Sequence, residues 1–337
     1  MSDKLTEKRK NMKKIIAIVM AALLVLCFAS CKEKTPVERA DVRVTALKGP
    51  TGMGMASLMA ENENGTTQNN YTFSLASAPA EVQSTIISGN FDIAAVPVNL
   101  ASVLYNKGAD ISFIGVATLG VLYVLENGNT INSVADLKGK TIYSTGQGAT
   151  PEYALNFILE KNGLKVGEDV TVEYLSDHAE LASKLAANTV SIGVLPEPNV
   201  TSALLQKTGD LRIALNLTEE WDKVSDTTLV QGVLVVSNKF LSEHRGAVET
   251  FLSEYKKSVE AINSDVETGA GYCEKYGIVP KAAVAKKAIP NCNISAMTGD
   301  DGVNAMKGML EVLYKANPAS VGGKLPEDNF YKSIKVK

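Results

Sequence analysis

The chain has 337 residues, of which 45% are hydrophobic and 21% charged, a composition typical of a globular protein long enough to form two domains. The formal net charge is −3, but residues 1–30 alone carry +4, which leaves −7 for residues 31–337. An acidic body argues against a nucleic-acid partner, because nucleic acids are normally bound through a basic face.

The amino terminus has the pattern of an export signal. A basic segment precedes the apolar run at 15–29, which is shorter than the roughly 20 residues that a membrane-spanning helix needs. The run ends in FASC, which resembles a bacterial lipobox with Phe28 where leucine is usual. We therefore expect a lipoprotein signal peptide at 1–30, acylation of Cys31 and a flexible tether at 31–40. The alternative is a short membrane anchor that is kept.

Beyond residue 40, short apolar strands alternate with helical stretches. The first run of predicted strands covers 41–47, 71–76, 91–96, 111–117 and 121–126. The second run covers 141–143, 170–175, 191–195, 212–217 and 229–237. The tail is mainly helical, with helices expected at 239–263, 265–276, 281–288 and 302–315. Successive strand–helix units predict mostly parallel sheets with helices on both faces. The two halves repeat the order strand, small-residue turn, helix.

The stretch KTIYSTGQGATPEY at 140–153 predicts a strand, a small-residue loop and a helix that opens at Thr150 and Pro151. Threonine is a good N-cap, and proline suits the first helical turn. The two glycines let a ligand approach bare amides, where the helix dipole favours negative or electron-rich groups. A plain tight turn is the alternative, but a second turn of this kind at 48–55 favours a ligand site.

Other loops at the carboxyl ends of the predicted strands share this composition of Gly, Ser, Thr, Asn and Pro. In open parallel sheets a ligand binds in the crevice beyond these ends, so backbone amides would supply much of the contact. The strands at 121–126 and 229–237 lie where the chain would cross between the halves, which makes them hinge candidates.

Catalytic and metal-binding patterns are scarce. His178 and His244 are the only histidines, and neither has the spacing of a metal ligand. No G-x-S-x-G motif occurs, which disfavours a Ser-His-Asp hydrolase. We expect no catalytic residue, no metal and no cofactor. Cys273 and Cys292 could form a disulfide in an exported protein or stay as buried thiols, and their spacing leaves both open.

Taken together, several segments resemble the solute-binding proteins of ABC importers, in the group that binds nitrate, sulfonates, taurine and the thiamine pyrimidine precursor. These segments are the lipobox, LKGPTGMGMASLM, FDIAAVPVNLASVLYNKG, VADLKGKTIYSTGQGATPEYALNFIL and IGVLPEPNVTSAL. The resemblance covers nearly all of residues 41–320. It rests on the order and spacing of the motifs, since no single motif is specific.

The resemblance implies an α/β periplasmic-binding-protein fold of two lobes, type II-like, each a mostly parallel sheet flanked by helices. Lobe 1 would hold 41–126 plus 229–337, and lobe 2 would hold 127–228. The solute would lie between the lobes, bound through amide and hydroxyl hydrogen bonds. The implied ligand-binding residues are Thr51, Gly52, Met53, Pro97, Asn99, Thr145, Gly146, Gln147, Gly148, Thr150 and Glu197.

Two of these residues have a second interpretation. Met53 would form an adaptable apolar wall, or it would be a core methionine of the first helix. Glu197 would accept from an amine or aminopyrimidine, or it would be an acid favoured by a helix dipole.

The implied function is an extracytoplasmic, lipid-anchored receptor, not an enzyme, that passes a small organic solute to an ABC permease and its ATPase. The membrane is reached through lipidated Cys31, and a monomer is expected. One alternative is an enzyme of the menaquinone-pathway type, which shares the two-lobed fold. The other is a binding module that reports to a membrane sensor.

Overall fold

A computed structural model of the chain describes residues 39–336. The predicted signal peptide, the lipid site at Cys31 and the tether up to residue 38 lie outside the described residues. Within residues 39–336, none of the helices has both the length and the apolar character that crossing a membrane requires.

The first sheet contains six strands: β1 (Asp41–Leu47), β2 (Asn70–Ala76), β3 (Ile93–Pro97), β4 (Ile111–Leu119), β10 (Val230–Ser237) and β11 (Ile294–Met297). Their spatial order is β11-β4-β10-β3-β1-β2. Strand β1 is parallel to β2 and β3, while β10 is antiparallel to β3 and β4. Strands β1 to β4 therefore all run in one direction, and their carboxyl ends lie at one edge of the sheet.

The second sheet contains five strands: β5 (Leu122–Asn127), β6 (Thr141–Thr145), β7 (Thr171–Leu175), β8 (Ile192–Pro196) and β9 (Leu211–Asn216). Their order is β7-β6-β8-β5-β9. Strand β6 is parallel to β7 and β8, and β5 is antiparallel to β8 and β9. Each sheet thus places an antiparallel strand, the first after a change of sheet, between its third and fourth parallel strands, and the edge strand β11 of the first sheet is antiparallel as well. This confirms the predicted α/β class and the repeat between the two halves.

Helices cover both sheets. They are α1 (Pro50–Met53), α2 (Ala56–Glu63), α3 (Pro79–Ile87), α4 (Val98–Asn106), α5 (Thr150–Lys161), α6 (His178–Ala186), α7 (Asn199–Gln206), α8 (Leu217–Asp222), α9 (Asn238–Glu243), α10 (Arg245–Ser264), α11 (Val266–Lys275), α12 (Ala282–Ala288) and α13 (Gly299–Ala316). Short 3-10 helices occur at Val134–Leu137, Ile289–Asn291, Pro318–Val321 and Asp328–Phe330.

Strand β10 shows why the first sheet is covered on both faces. Val233 and Val235 belong to a core that includes Leu104 of α4 and Met306 of α13. Leu234 and Val236 belong to a different core, with Leu58 of α2 and Phe251 of α10. Because alternate side chains of a strand point to opposite faces, a nearly continuous apolar run marks a strand that is buried on both sides.

The chain changes sheet earlier than predicted. We expected lobe 1 to extend to residue 126, but β5 pairs with β8 and β9 of the second sheet. The crossing therefore falls at Gly120–Val121, between β4 and β5. Periodicity alone could not place it, because only two residues separate two apolar strands. The return crossing covers α8 and the loop to residue 229, after which β10 lies within the first sheet.

Two features of the tail differ from expectation. Strand β11 at the edge of the first sheet was not predicted, because four residues are too few to show a period. The helix predicted at 239–263 is divided at His244 into α9 and α10. Cys273 and Cys292 are both buried and free, so the structure contains the two thiols rather than a disulfide.

Candidate ligand cleft

The carboxyl ends of the parallel strands in the two sheets meet at a common boundary between the lobes. The clearest contact there joins the starts of α4 and α5. The Thr150 hydroxyl donates a hydrogen bond to Asn99 Oδ1 at 3.3 Å. Gly49, in the first turn, lies near Pro198 of the second lobe, since a Cβ on Gly49 would be 3.8 Å from Pro198 Cδ. The boundary therefore brings together four of the predicted loops, those that contain Gly49, Asn99, Thr150 and Pro198.

The turn after β1 is tightly packed in the first lobe. The Thr51 hydroxyl donates to the carbonyl of Leu47 at 3.0 Å. A Cβ on Gly52 would lie 2.8 Å from that same carbonyl oxygen, so the turn requires glycine at this position. Met53 is fully buried in the core beneath β1 and β3, so it is the core methionine of the alternative interpretation.

Pro97 and Asn99 lie at the junction of β3 and α4. Pro97 is the last residue of β3 and the N-cap of α4, and Asn99 is in the first turn of that helix. Proline suits this place because its missing N–H would have no helical partner there. Both residues are half-buried, with Asn99 facing Thr150 of the other lobe.

The loop between β6 and α5 has the predicted backbone. Gly146 and Gly148 both have φ of 75°, which side chains rarely adopt. The Gly148 amide donates to Glu152 Oε2 at 2.5 Å. The helix begins one residue earlier than a Thr150 N-cap would give: Ala149 is the N-cap and Thr150 is the first helical residue. The Thr150 side chain is thereby free to reach Asn99 instead of capping its own helix.

His178 is a site residue that the sequence did not indicate. Its Nδ1 lies 2.6 Å from the hydroxyl of Thr145, which is 1% exposed at the end of β6. Burial lowers the pKa of His178, against a smaller opposite effect of Asp177. Its position directly after β7, at the same sheet edge as the Thr145 loop, was the available signal.

Glu197 is 1% exposed and is held by its own helix. Its carboxylate accepts from the Thr201 amide at 3.0 Å and from the Thr201 hydroxyl at 2.9 Å. Burial raises the pKa of Glu197, while hydrogen bonds from Thr201 and the Asn291 side chain oppose the shift. Asn291 belongs to the first lobe, and its carbonyl also accepts from the Tyr123 hydroxyl at 2.9 Å. Glu197 therefore lies at the boundary between the lobes, and its carboxylate accepts the hydrogen bonds that stabilise the first turn of α7.

Two cavities lie away from the contact between the starts of α4 and α5. One of about 220 Å³ adjoins Glu197 and is lined from both lobes, by Thr201 and Ile213 on one side and Lys287 and Asn291 on the other. A larger one of about 850 Å³ lies at the opposite edge of the first sheet and contains none of the predicted site residues. Across residues 39–336, no three His, Cys, Asp or Glu side chains are grouped so as to hold a metal ion.

The solved structures similar to this chain include several proteins of ABC transport systems. An ABC transporter protein from Parabacteroides distasonis is 25% identical, with a TM-score of 0.74 over 87% of this chain and 99% of that one. The alkanesulfonate-binding protein SsuA from Xanthomonas axonopodis pv. citri, bound to MOPS, is 19% identical, with a TM-score of 0.63 over 86% and 96%. The nitrate-binding protein NrtA from Synechocystis is 10% identical, with a TM-score of 0.53 over 71% and 67%.

The two-lobed fold that the chain shares with these proteins defines its structural class. Within that class, the NMT1/THI5-like family model matches residues 70–267, more than half of the chain. The chain therefore belongs to the NMT1/THI5-like family. Comparison with curated proteins gives no match.

Proposed function

We propose that this protein is an extracytoplasmic, lipid-anchored receptor that binds a small organic solute between its lobes and delivers it to an ABC permease and its ATPase. The observation that carries the proposal is the contact of Thr150 with Asn99. It joins the first turns of two helices from opposite lobes, beside a loop with two left-handed glycines. Helix N-termini facing each other across a boundary present amide donors to whatever lies between them.

The solute would be bound by neutral donors of both lobes. The proposed contacts are the predicted residues Thr51, Gly52, Pro97, Asn99, Thr145, Gly146, Gln147, Gly148 and Thr150, and Glu197 would stabilise the start of α7 beside them. None of these residues is a cation, so recognition relies on amides and hydroxyls. That chemistry suits an oxygen-rich polar end, and the relatives whose structures contain or are named for sulfonates and nitrate agree with it.

The test is a thermal-shift screen of the purified protein with sulfonates, taurine, nitrate, aminopyrimidines, thiamine and flavins. A solute at a hundred times its dissociation constant adds about 2.7 kcal/mol to stability. The site is then tested with Gly148→Asn, because asparagine tolerates the left-handed backbone and would fill the open space at this loop. Gly163→Asn is the matched control. It has φ of 76° and equally open surroundings, but it follows the other end of α5.

The expected result is a solute whose affinity falls at least tenfold in Gly148→Asn and stays unchanged in Gly163→Asn. A solute that binds both variants equally well would place the site elsewhere. A chain that binds nothing in the panel would contradict the solute classes proposed here.

The lipid anchor is tested separately. Cys31→Ala removes the proposed acylation site, whereas Cys27→Ala changes a cysteine within the apolar run of the signal. We expect Cys31→Ala to move the protein out of the membrane fraction and Cys27→Ala to leave it there. Equal distribution of the two variants would contradict lipidation at Cys31.

A further inference from the structure

The cavity of about 220 Å³ lies on the seam between the lobes, where α7 of the second lobe packs against α12 of the first. Glu197 is the only predicted site residue among those that line it. The cavity is therefore separate from the turn after β1, from the glycine loop and from the contact between Asn99 and Thr150, and nothing in the proposed function uses it.

The second lobe supplies an apolar wall to this cavity. Leu204 and Leu205 lie in the last turn of α7, and Ile213 lies on β9. Leu205 is 44% exposed, which makes it one of only three large apolar side chains left exposed within residues 39–336. Because removing apolar surface from water is favourable, an apolar ligand that covers Leu205 would be stabilised here.

The first lobe supplies a positive charge. Lys287 lies in the last turn of α12, and it makes no ion pair or hydrogen bond with the part of the chain that the structure describes. The neighbouring Lys286 differs, because it forms an ion pair with Glu267. The ammonium group of Lys287 is therefore free to attract an anion at the polar end of the cavity.

Glu197 does not provide a matching site for a cation. Its carboxylate is 1% exposed and already accepts hydrogen bonds from the amide and the hydroxyl of Thr201. Burial raises the pKa of Glu197, which favours the neutral form and weakens its repulsion of a nearby anion. The charge that the cavity presents to a ligand is therefore that of Lys287.

We propose that this cavity is a second binding site, which takes a short-chain aliphatic carboxylate. The carboxylate accepts from the Lys287 ammonium, and the alkyl chain packs on Leu204, Leu205 and Ile213. Counting about 30 Å³ for one water, the cavity has room for roughly seven non-hydrogen atoms, which is the size of valerate. A ligand that contacts both lobes favours the arrangement in which both contacts exist, so this site would stabilise the lobes as they lie here.

The experiment measures valerate binding to the full protein by ligand-observed NMR, with Lys287→Met and Lys286→Met as a matched pair. Both lysines are exposed in the last turn of α12, so neither variant should disturb the fold. We expect Lys287→Met to bind valerate about tenfold more weakly and Lys286→Met to bind it as the wild type does. The wild type should also prefer valerate to the neutral valeramide and to pentylamine.

A second matched pair, Leu205→Ser and Val166→Ser, tests the apolar wall. The two side chains are almost equally exposed, at 44% and 43%, but Val166 does not line the cavity. Leu205→Ser should bind valerate several times more weakly than the wild type, whereas Val166→Ser should bind it unchanged.

Three results would overturn the site. The first is wild-type affinity for valerate in Lys287→Met. The second is tighter binding of pentylamine than of valerate, since Glu197 would then be the charged group that faces the ligand. The third is a wild-type protein that does not bind valerate. None of these results bears on the proposed function, which is tested at Gly148 with a different panel of solutes.

Discussion

The Thr150 hydroxyl donates to Asn99 Oδ1 at 3.3 Å, and this bond links a helix of the second lobe to a helix of the first. The bond needs an α5 that starts at Thr150, because a threonine at the N-cap would turn its hydroxyl towards its own helix. A one-residue difference in where the helix starts therefore makes a contact between lobes available.

We predict that these two residues are energetically coupled. Asn99→Ala and Thr150→Val should each destabilise the protein, and the double variant should lose less than the sum by about 0.5 to 1 kcal/mol, the net value of one hydrogen bond. Urea unfolding of the four proteins measures the coupling. Asn106→Ala is the control, since Asn106 lies at the other end of α4 and bonds to Val321 and Lys324. The losses of unfolding free energy from Asn106→Ala and Thr150→Val should add. Equal coupling energies in the Asn99–Thr150 and Asn106–Thr150 pairs would contradict the prediction.

Gly232 should be intolerant of a side chain. A Cβ there would lie 2.7 Å from Thr51 Cγ2, closer than van der Waals contact allows, so Gly232→Ala should cost about 1 to 3 kcal/mol through displacement of the first turn. Gly271→Ala, in α11 with open space around it, should gain about 0.5 to 1 kcal/mol because alanine favours helix. Chemical denaturation measures both changes. A Gly232→Ala protein as stable as the wild type would show that Thr51 moves at no cost.

How far the sequence predicts this fold depends on how local each signal is. The glycine loop before α5 was predicted because two left-handed residues and a proline leave a strong local pattern. The sequence did not predict which sheet β5 joins, because β5 pairs with β8 and β9, which lie far along the chain. Met53 shows the same limit: its place in the core depends on α2 and β3 around it, and a methionine beside a glycine turn suits either position.

The contacts between the lobes could not be predicted from the sequence either, because they too depend on residues that lie far apart in the chain. Asn291 lies in a 3-10 turn with no motif around it, yet two side chains of the second lobe reach it. His178 and Thr145 are 33 residues apart and meet only when β6 and β7 pair, so the available signal was that each lies at or just after the end of a strand.

Glu197 should make stability fall as the pH rises. Burial raises its pKa in the folded protein above the ordinary value of 4.5, so the folded state holds a proton that the unfolded state releases. The stabilisation is complete below 4.5 and is lost as the pH rises through the raised pKa. The groups that face the carboxylate are Thr201, Asn291, Tyr123 and Cys292, with Lys287 on the adjoining cavity.

Glu197→Gln tests this dependence, because glutamine keeps an acceptor for the Thr201 amide and cannot ionise. The variant should gain stability relative to the wild type as the pH rises from about 4.5 towards 8. Urea unfolding across this range measures the difference. A constant difference between the two proteins at every pH would show that Glu197 does not titrate differently on folding.

Tyr123 should hold the lobes together through one bond. Its hydroxyl donates to the carbonyl of Asn291 at 2.9 Å, so Tyr123→Phe leaves that carbonyl without this donor and should cost about 1 kcal/mol. Because the bond crosses the boundary, the lost free energy should shift the protein towards separated lobes, which small-angle scattering would report as a larger radius of gyration. Tyr143→Phe is the control, since the Tyr143 hydroxyl on β6 makes no hydrogen bond within residues 39–336. If both variants kept the wild-type radius while Tyr123→Phe alone lost stability, the bond would stabilise the fold without governing closure.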